Sequence, residues 1–190
     1  HLSIRRQRQM CIRDRKEILL LGNEAVSRGA LEAGLAFATC YPGTPSSEIP
    51  EQFFRISMET DLYFEYSTNE KVAMEVAAGA AMSGLRTMVT MKHVGLNVAA
   101  DPMMTLAYTG AEGGMVIVNA DDPSLFSSQN EQDNRYYSRI SSLPMLEPTN
   151  AQELKDWTAA AFDISEDLAL PVILRTTTRL AHIRGPVTLG

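Results

Sequence analysis

Glu70 stands at the mouth of "YSTNEKVAMEVAAGAAMSG", residues 66–84, a stretch otherwise built almost wholly from small and apolar residues. Two kinds of chemistry suit a carboxyl there. Ser67-x-x-Glu70 has the spacing of a capping box, in which Glu70 would reach back to a free backbone N–H, and an acid in the first helical turn suits the helix dipole by about 0.3–1 kcal/mol. Beyond these, the residues place a carboxylate beside a helix of low polarity and name no substrate for it. The face behind it, Val72, Ala73, Val76, Ala77, Gly79, Ala80 and Gly84, permits close approach of another backbone, from the same chain or from a partner subunit. Gly79 and Gly84 weaken an isolated helix and require some such reason.

Three further segments combine polar residues with turn signals. In "CYPGTPSSEI", residues 40–49, Pro42-Gly43 makes a turn, Thr44 suits an N-cap and Pro45 sits where helices tolerate proline. The same residues offer hydroxyls of Thr44, Ser46 and Ser47 beside free N–H groups, a hole of carboxylate size. "MKHVGLN", residues 91–97, carries Lys92, His93 and Asn97. A lone histidine at a strand end reads first as a hydrogen-bonded surface residue, Lys92 as a solvated one, and Asn97 as a cap or a ligand contact. "NADDPSLFSSQNEQDNR", residues 119–135, is a long polar loop of the kind that serves function or moves. Its Asp121, Asp122 and Asp133 match no metal-ligand spacing. No Gly-x-Gly-x-x-Gly, phosphate loop or nucleophile elbow occurs anywhere in the chain.

The elements that must position these residues alternate regularly. "EILLLG", "LAFATCYP", "LYFEYS", "RTMVTMK", "GMVIVNAD", "PMLEP" and "PVILRTTT" are short apolar runs. Between them lie helical patterns such as "NEAVSRGALEAG", "PSSEIPEQFFRIS", "VGLNVAADPMMTLAYTG", "EQDNRYYSRISSL" and "NAQELKDWTAAAFDISEDLAL". This order predicts an α/β fold of three layers, a mostly parallel sheet flanked by helices, within one domain over 16–190. "RLAHIRGPVTLG" follows the last strand with no closing helix, as in a domain cut from a longer polypeptide.

Composition narrows the function classes. The 190 residues carry 17 basic and 23 acidic side chains, and residues 1–15, "HLSIRRQRQMCIRDR", hold five of the former and one of the latter. That segment has no apolar periodicity, reads as non-native or disordered, and is set apart from fold reasoning. The remaining 16–190 carry a net charge of −10, which gives no support to nucleic-acid binding. No apolar run approaches the roughly 20 residues of a membrane span. Two cysteines, Cys11 and Cys40, without a CxxC encode neither a disulfide framework nor an iron–sulfur site and fit a cytoplasmic protein.

"YPGTPSSEI", "NEKVAMEVAAGAAMSG", "MKHVGLNVAADP", "DDPSLFSSQNEQDNRYY" and the later "EP" together resemble the 2-oxoacid:ferredoxin oxidoreductases, over about 16–180, and within that family the alpha subunits of the indolepyruvate type. The resemblance implies a pyrimidine-binding (PYR-type) domain, half of a thiamine diphosphate site. It carries the family's catalytic glutamate onto Glu70, which would hydrogen-bond the aminopyrimidine ring and promote its imino tautomer. Thr44 and Asn97 would contact the cofactor, and Tyr41, Pro42, Gly43, Thr44, Lys92 and His93 the substrate. The family's substrate loop usually has Ile where Gly43 stands. Pyruvate-specific relatives carry an arginine where this chain has Asp121-Asp122, so the substrate carboxylate must be held differently here, with Lys92 and His93 as replacements.

The implied reaction is oxidative decarboxylation of indolepyruvate or another arylpyruvate to an acyl-coenzyme A, with electrons passing to ferredoxin. Mg²⁺ and the 4Fe-4S clusters are expected on diphosphate-binding and ferredoxin-like domains C-terminal to this one. A beta subunit, ferredoxin and coenzyme A would be partners in an oligomer, and the 190 residues alone would be inactive. A pyruvate or branched-chain 2-oxoacid specificity stays open, as does a non-catalytic assembly module whose small-residue helix only packs subunits. A stand-alone nucleotide-binding domain is weakened by the missing phosphate loop.

Overall fold

Residues 17–190 are described by a computed structural model, so the basic segment 1–15 lies outside the described residues. Six strands form one sheet: β2 (Phe37–Cys40), β3 (Tyr63–Tyr66), β4 (Thr87–Lys92), β5 (Met115–Asp121), β6 (Met145–Leu146) and β7 (Val172–Thr177). They run in the order β3-β2-β4-β5-β7-β6, and every adjacent pair is parallel. Strands buried on both faces should be apolar at successive positions, with alternate side chains entering different cores. Met88, Val116, Val118, Val172 and Leu174 enter one core. That core also holds Val26 of α1 (Gly22–Glu32), Ile49 and Phe53 of α2 (Glu48–Ser57) and Leu154 and Phe162 of α7 (Ala151–Leu168). Val89, Met91, Met115, Ile117 and Ile173 enter the other core, with Ala73, Met74 and Ala77 of α3 (Glu70–Met82), Leu96 of α4 (His93–Val98) and Met103 of α5 (Ala100–Thr109). The three-layer α/β reading is therefore correct.

Two expectations at the ends of the chain are not met. The apolar run at the start, β1 (Glu17–Leu21), does not join the parallel sheet. It pairs antiparallel with β8 (Arg184–Thr188), Ile18 opposite Val187, in a separate ribbon against α1 and α7. "RLAHIRGPVTLG", expected to follow the last strand with no closing helix or further strand, forms most of the short α8 (Thr178–His182) and then β8. An apolar run states that a segment is buried, whereas its hydrogen-bonding partner is chosen by a contact spanning nearly the whole sequence.

Helix boundaries also shift. The predicted single helix over "VGLNVAADPMMTLAYTG" starts at His93 and breaks at Ala99, giving α4 and α5. The predicted helix "EQDNRYYSRISSL" begins only at Arg135, as α6 (Arg135–Ser141), which leaves residues 122–134 as loop.

The sheet order determines where the strand connections part. From β2 the chain turns towards β3 on the α2 face, whereas from β4 it proceeds towards β5 on the α4–α5 face. β2 and β4 are neighbours, so their connections diverge and open a crevice beyond their carboxyl ends, the usual ligand position in parallel α/β sheets.

Candidate active site

Glu70 is the first residue of α3, and its position is prepared by its neighbours. The capping box predicted from Ser67 does not form. Ser67 N–H donates to Cys40 O at 2.8 Å, and its hydroxyl pairs with Thr39 Oγ1 at 2.8 Å. The cap is Asn69, whose Oδ1 accepts from Val72 N–H at 2.9 Å. Asn69 thereby satisfies the helix end and relieves Glu70 of that duty. The Glu70 side chain makes no hydrogen bond among the described residues, although the residue is only 8% exposed. It lies instead on the backbone of α4: a Cβ added at Gly95 would stand 2.6 Å from Glu70 Oε1 and 2.7 Å from its Cγ. Glu70 is thus a buried carboxyl without a hydrogen-bond partner among the described residues, near the crevice where the sheet connections diverge, an arrangement that capping and packing of α3 do not explain.

The small-residue face of α3 divides in two. Ala73, Ala77 and Ala81 pack into the core, which accounts for close helix-on-sheet packing. Gly79 faces open space, and Gly84 is explained by its backbone, a positive φ of 81° just beyond the helix end. Neither glycine is required for contact within the described residues.

The loop after β2 places Tyr41, Pro42 and Thr44 in the open, next to Gly43. Thr44 is not the N-cap it was expected to be: it lies in a turn, and α2 starts at Glu48. Ser46 closes that turn, with N–H and hydroxyl both donating to Gly43 O at 3.0 Å. Underneath, Asn23 Nδ2 donates to Pro45 O at 2.7 Å and anchors the loop to α1. Gly43 meets the stem of Lys92, the last residue of β4, so two of the predicted substrate residues are in contact.

His93 is not the surface histidine its position suggested. It is fully buried, and its Nε2 donates to Asn130 O at 3.0 Å, since a carbonyl can only accept. Its Nδ1 has no hydrogen-bond partner. Asn97 is spoken for within the chain: its Oδ1 accepts from Tyr137 Oη at 2.6 Å and Gln132 Nε2 at 2.9 Å, and its Nδ2 donates to Gln132 Oε1. The structure thus brings Gly43 to Lys92 and Glu70 to α4, while it turns His93 and Asn97 towards the loop 122–134.

That loop is a template of amides. Gln129 Oε1 accepts from Lys92 Nζ at 3.3 Å, and Gln132 and Asn134 both donate to His93 O. Asn134 is in turn held by Asn119 Oδ1 at 2.8 Å and by Asp121 Oδ2, which accepts from its N–H at 3.2 Å. Asp121, fully buried, pairs with Arg175 Nε at 2.7 Å, and Arg175 also pairs with Glu147. Breaking a buried pair from one side typically costs about 3–5 kcal/mol. Sequence reading missed Gly95, Gln129, Gln132, Asn134 and Arg175. A signal existed for Arg175: one charged residue inside each of the apolar strands "MVIVNAD" and "VILRTT" requires the two to meet.

Asp122 anchors the start of the loop. Burial alone would raise its pKa, but the Thr178 hydroxyl and the Ser127 N–H, which donate to its carboxylate at 2.6 and 2.8 Å, outweigh burial and hold it at about 2, against an ordinary 3.8. A folded-state pKa below the unfolded one adds stability above the unfolded value, which is lost as pH falls through the folded one. Asp122→Asn is therefore expected to destabilise the fold by about 1–3 kcal/mol near neutral pH, with the difference from wild type shrinking between pH 4 and pH 2. Thermal unfolding across that range measures it; a difference independent of pH refutes the assignment. Cys40 is no candidate nucleophile, because burial pushes its thiol up to about 12 despite a hydrogen bond with Thr90.

Residues 28–189 match the family model described as pyruvate flavodoxin/ferredoxin oxidoreductase, thiamine diP-bdg. The chain belongs to this family. Among the curated relatives of this oxidoreductase family, it is 57% identical to the indolepyruvate oxidoreductase subunit IorA of Methanothermobacter thermautotrophicus over 94% of its own length. It is 55% identical to the IorA subunit of Archaeoglobus fulgidus over 92% of its length. The match spans 29% of either relative, so the chain corresponds to under a third of those proteins. Its fold is that of 2-oxoglutarate:ferredoxin oxidoreductase from Magnetococcus marinus, with a TM-score of 0.82 at 19% identity over 90% of this chain and 31% of that one. The resemblance to the indolepyruvate type is thus matched by full-domain identity above one half. No group of three or more histidine, cysteine, aspartate or glutamate side chains able to hold a metal, and no helix long and apolar enough to cross a membrane, occurs among the described residues.

Proposed function

We propose that residues 16–190 form the pyrimidine-binding half of the active site in an indolepyruvate or arylpyruvate:ferredoxin oxidoreductase, an oligomeric cytoplasmic enzyme. The observation that carries this reading is Glu70, buried, unpartnered and laid against Gly95 at the crevice between the β2 and β4 connections. Those features fit the aminopyrimidine of thiamine diphosphate: a carboxyl without a competing donor, beside a backbone with no Cβ to fill the space. When bound, thiamine diphosphate supplies the nucleophilic carbon that adds to a 2-oxo group and takes up the electron pair left when CO2 departs.

The residues of this chain do the rest of their half of the work. Glu70 holds a proton between its carboxyl and a ring nitrogen, and the low exposure of its surroundings keeps water from competing for it. Thr44 is proposed at the junction of cofactor and substrate, and Asn97 as a second cofactor contact reached from α4. Tyr41, Pro42, Gly43, Lys92 and His93 define the substrate side; His93 contributes by fixing the backbone of α4 through Asn130. Mg²⁺, the diphosphate and the iron–sulfur clusters are assigned to further domains of a longer chain. A beta subunit, coenzyme A and ferredoxin complete the reaction. The alternative of a pure packing module is less favoured, because the capping and packing needs of α3 are met without Glu70.

Calorimetric titration with thiamine diphosphate and Mg²⁺ tests the half-site. Residues 16–190 alone are expected to give no saturable heat, whereas the complete polypeptide gives micromolar or tighter binding. Tight binding by the isolated piece, or none by the complete protein, refutes the proposal.

A further inference from the structure

The carboxylate of a 2-oxoacid is met most strongly by a cation, and three basic side chains, Arg175, His93 and Lys92, stand at or next to the carboxyl ends of β7 and β4. Arg175 has its charge taken by buried Asp121 and by Glu147, with Asp133 at 3.9 Å, so a ligand would have to strip it from existing acids. His93 is fully buried, and its Nε2 is bound to Asn130 O. Lys92 differs from both. It is partly exposed, it has no carboxylate within ion-pair distance among the described residues, and the hydrogen bond of its ammonium is to the neutral Gln129 amide at 3.3 Å. A substrate carboxylate would therefore supply a missing counter-charge without displacing one.

The position of Lys92 depends on a small residue across the crevice. Its stem lies over Gly43: a Cβ there would stand 3.0 Å from Lys92 Cδ and 3.1 Å from Cγ. A branched side chain at residue 43 would occupy the volume of that stem and push the ammonium out. Gly43 and Lys92 belong to the two strand ends between which the crevice opens, next to exposed Tyr41, Pro42 and Thr44.

We propose that Lys92, seated on Gly43 and steered by the Gln129 amide, is the residue that binds the substrate's carboxylate. This rests on the reading of the crevice as a 2-oxoacid site and decides which of its residues carries the anion. Hydrogen bonds to charged groups are individually strong, and the loss of one corresponds to roughly 10- to 100-fold in binding.

The test uses the complete enzyme with an arylpyruvate as substrate. Lys92→Gln is expected to raise KM roughly 10- to 100-fold with a much smaller change in kcat, and Lys92→Arg to recover most of the loss. Inhibition separates charge from packing: Lys92→Gln should weaken an arylacetate by the same factor and leave the neutral arylacetamide nearly unaffected. Gly43→Val should reproduce the KM increase and add little to Lys92→Gln. If Lys92→Gln binds thiamine diphosphate and turns over with an unchanged KM, or loses both inhibitors equally, the assignment of Lys92 is overturned. If the wild-type complete protein binds no thiamine diphosphate, the underlying reading of the site fails instead.

Discussion

Glu70→Gln in the complete enzyme is expected to lower kcat by roughly 10²–10⁴-fold, the usual contribution of a positioned proton-transfer group. The amide keeps the shape of the carboxyl but cannot exchange a proton with a ring nitrogen. Its structural cost should be small. Asn69, not Glu70, caps α3, and the Glu70 side chain has no hydrogen bond to lose among the described residues. The two roles considered for this residue therefore give opposite outcomes. A helix cap would cost about 0.5–2 kcal/mol of stability with turnover intact; a catalytic carboxyl costs turnover with the melting temperature nearly unchanged. Steady-state kinetics beside a thermal melt of the same preparation decide between them. Loss of the circular-dichroism band of the bound aminopyrimidine should accompany the kinetic defect, and a mutant with wild-type kcat would return Glu70 to a structural role.

Gly95→Ala should injure the same step from the neighbouring helix. The added methyl would stand 2.6 Å from Glu70 Oε1, 2.7 Å from Cγ and 2.9 Å from Cδ, well inside contact distance for all three. Something must move, and the least constrained group is the Glu70 side chain rather than the backbone of α4, which Gln132 and Asn134 hold at the His93 carbonyl. Overpacking of this kind costs about 1–3 kcal/mol, part of it offset by the better helix propensity of alanine, about 1 kcal/mol. Displacing a catalytic group by about 1 Å can cost roughly 100-fold in rate. We therefore expect kcat to fall about 100-fold while the melting temperature falls by only a few degrees. Because the substitution acts through Glu70, it should add little to Glu70→Gln, so the double mutant resembles the single one. Additive losses would show that Gly95 acts independently of that carboxyl.

The hydrogen bonds around α4 give the loop 122–134 a role that its composition only hinted at. Its amides hold Lys92, the His93 carbonyl and Asn97 in succession, and its base is tied to the sheet through Asp121, Asp122, Arg175 and Thr178. Disturbance of the Asp122 anchor is therefore expected to reach the substrate side through the chain, without any contact between Asp122 and a ligand.

What the sequence determined by itself was everything carried by local periodicity and residue type. The alternation of short apolar runs with amphipathic helices specified a parallel sheet buried on both faces, because only such strands tolerate apolar residues at every successive position. The place of Glu70 at the head of a small-residue helix was legible for the same reason, whereas the turn after β2, expected at Pro42-Gly43, closes instead from Gly43 to Ser46. The tertiary structure decided what depends on partners distant in sequence. β1 left the main sheet because β8, from the far end of the chain, offered it an antiparallel edge. Ser67 lost its capping role because Cys40 and Thr39, on the adjacent strand, took its backbone and its hydroxyl. His93 and Lys92, adjacent in sequence, were separated into a buried anchor and an accessible cation by the loop that folds over β4. Burial is a property that each segment advertises in its own residues; a hydrogen-bonding partner or a counter-ion is settled by competition among groups that meet only when the chain has folded.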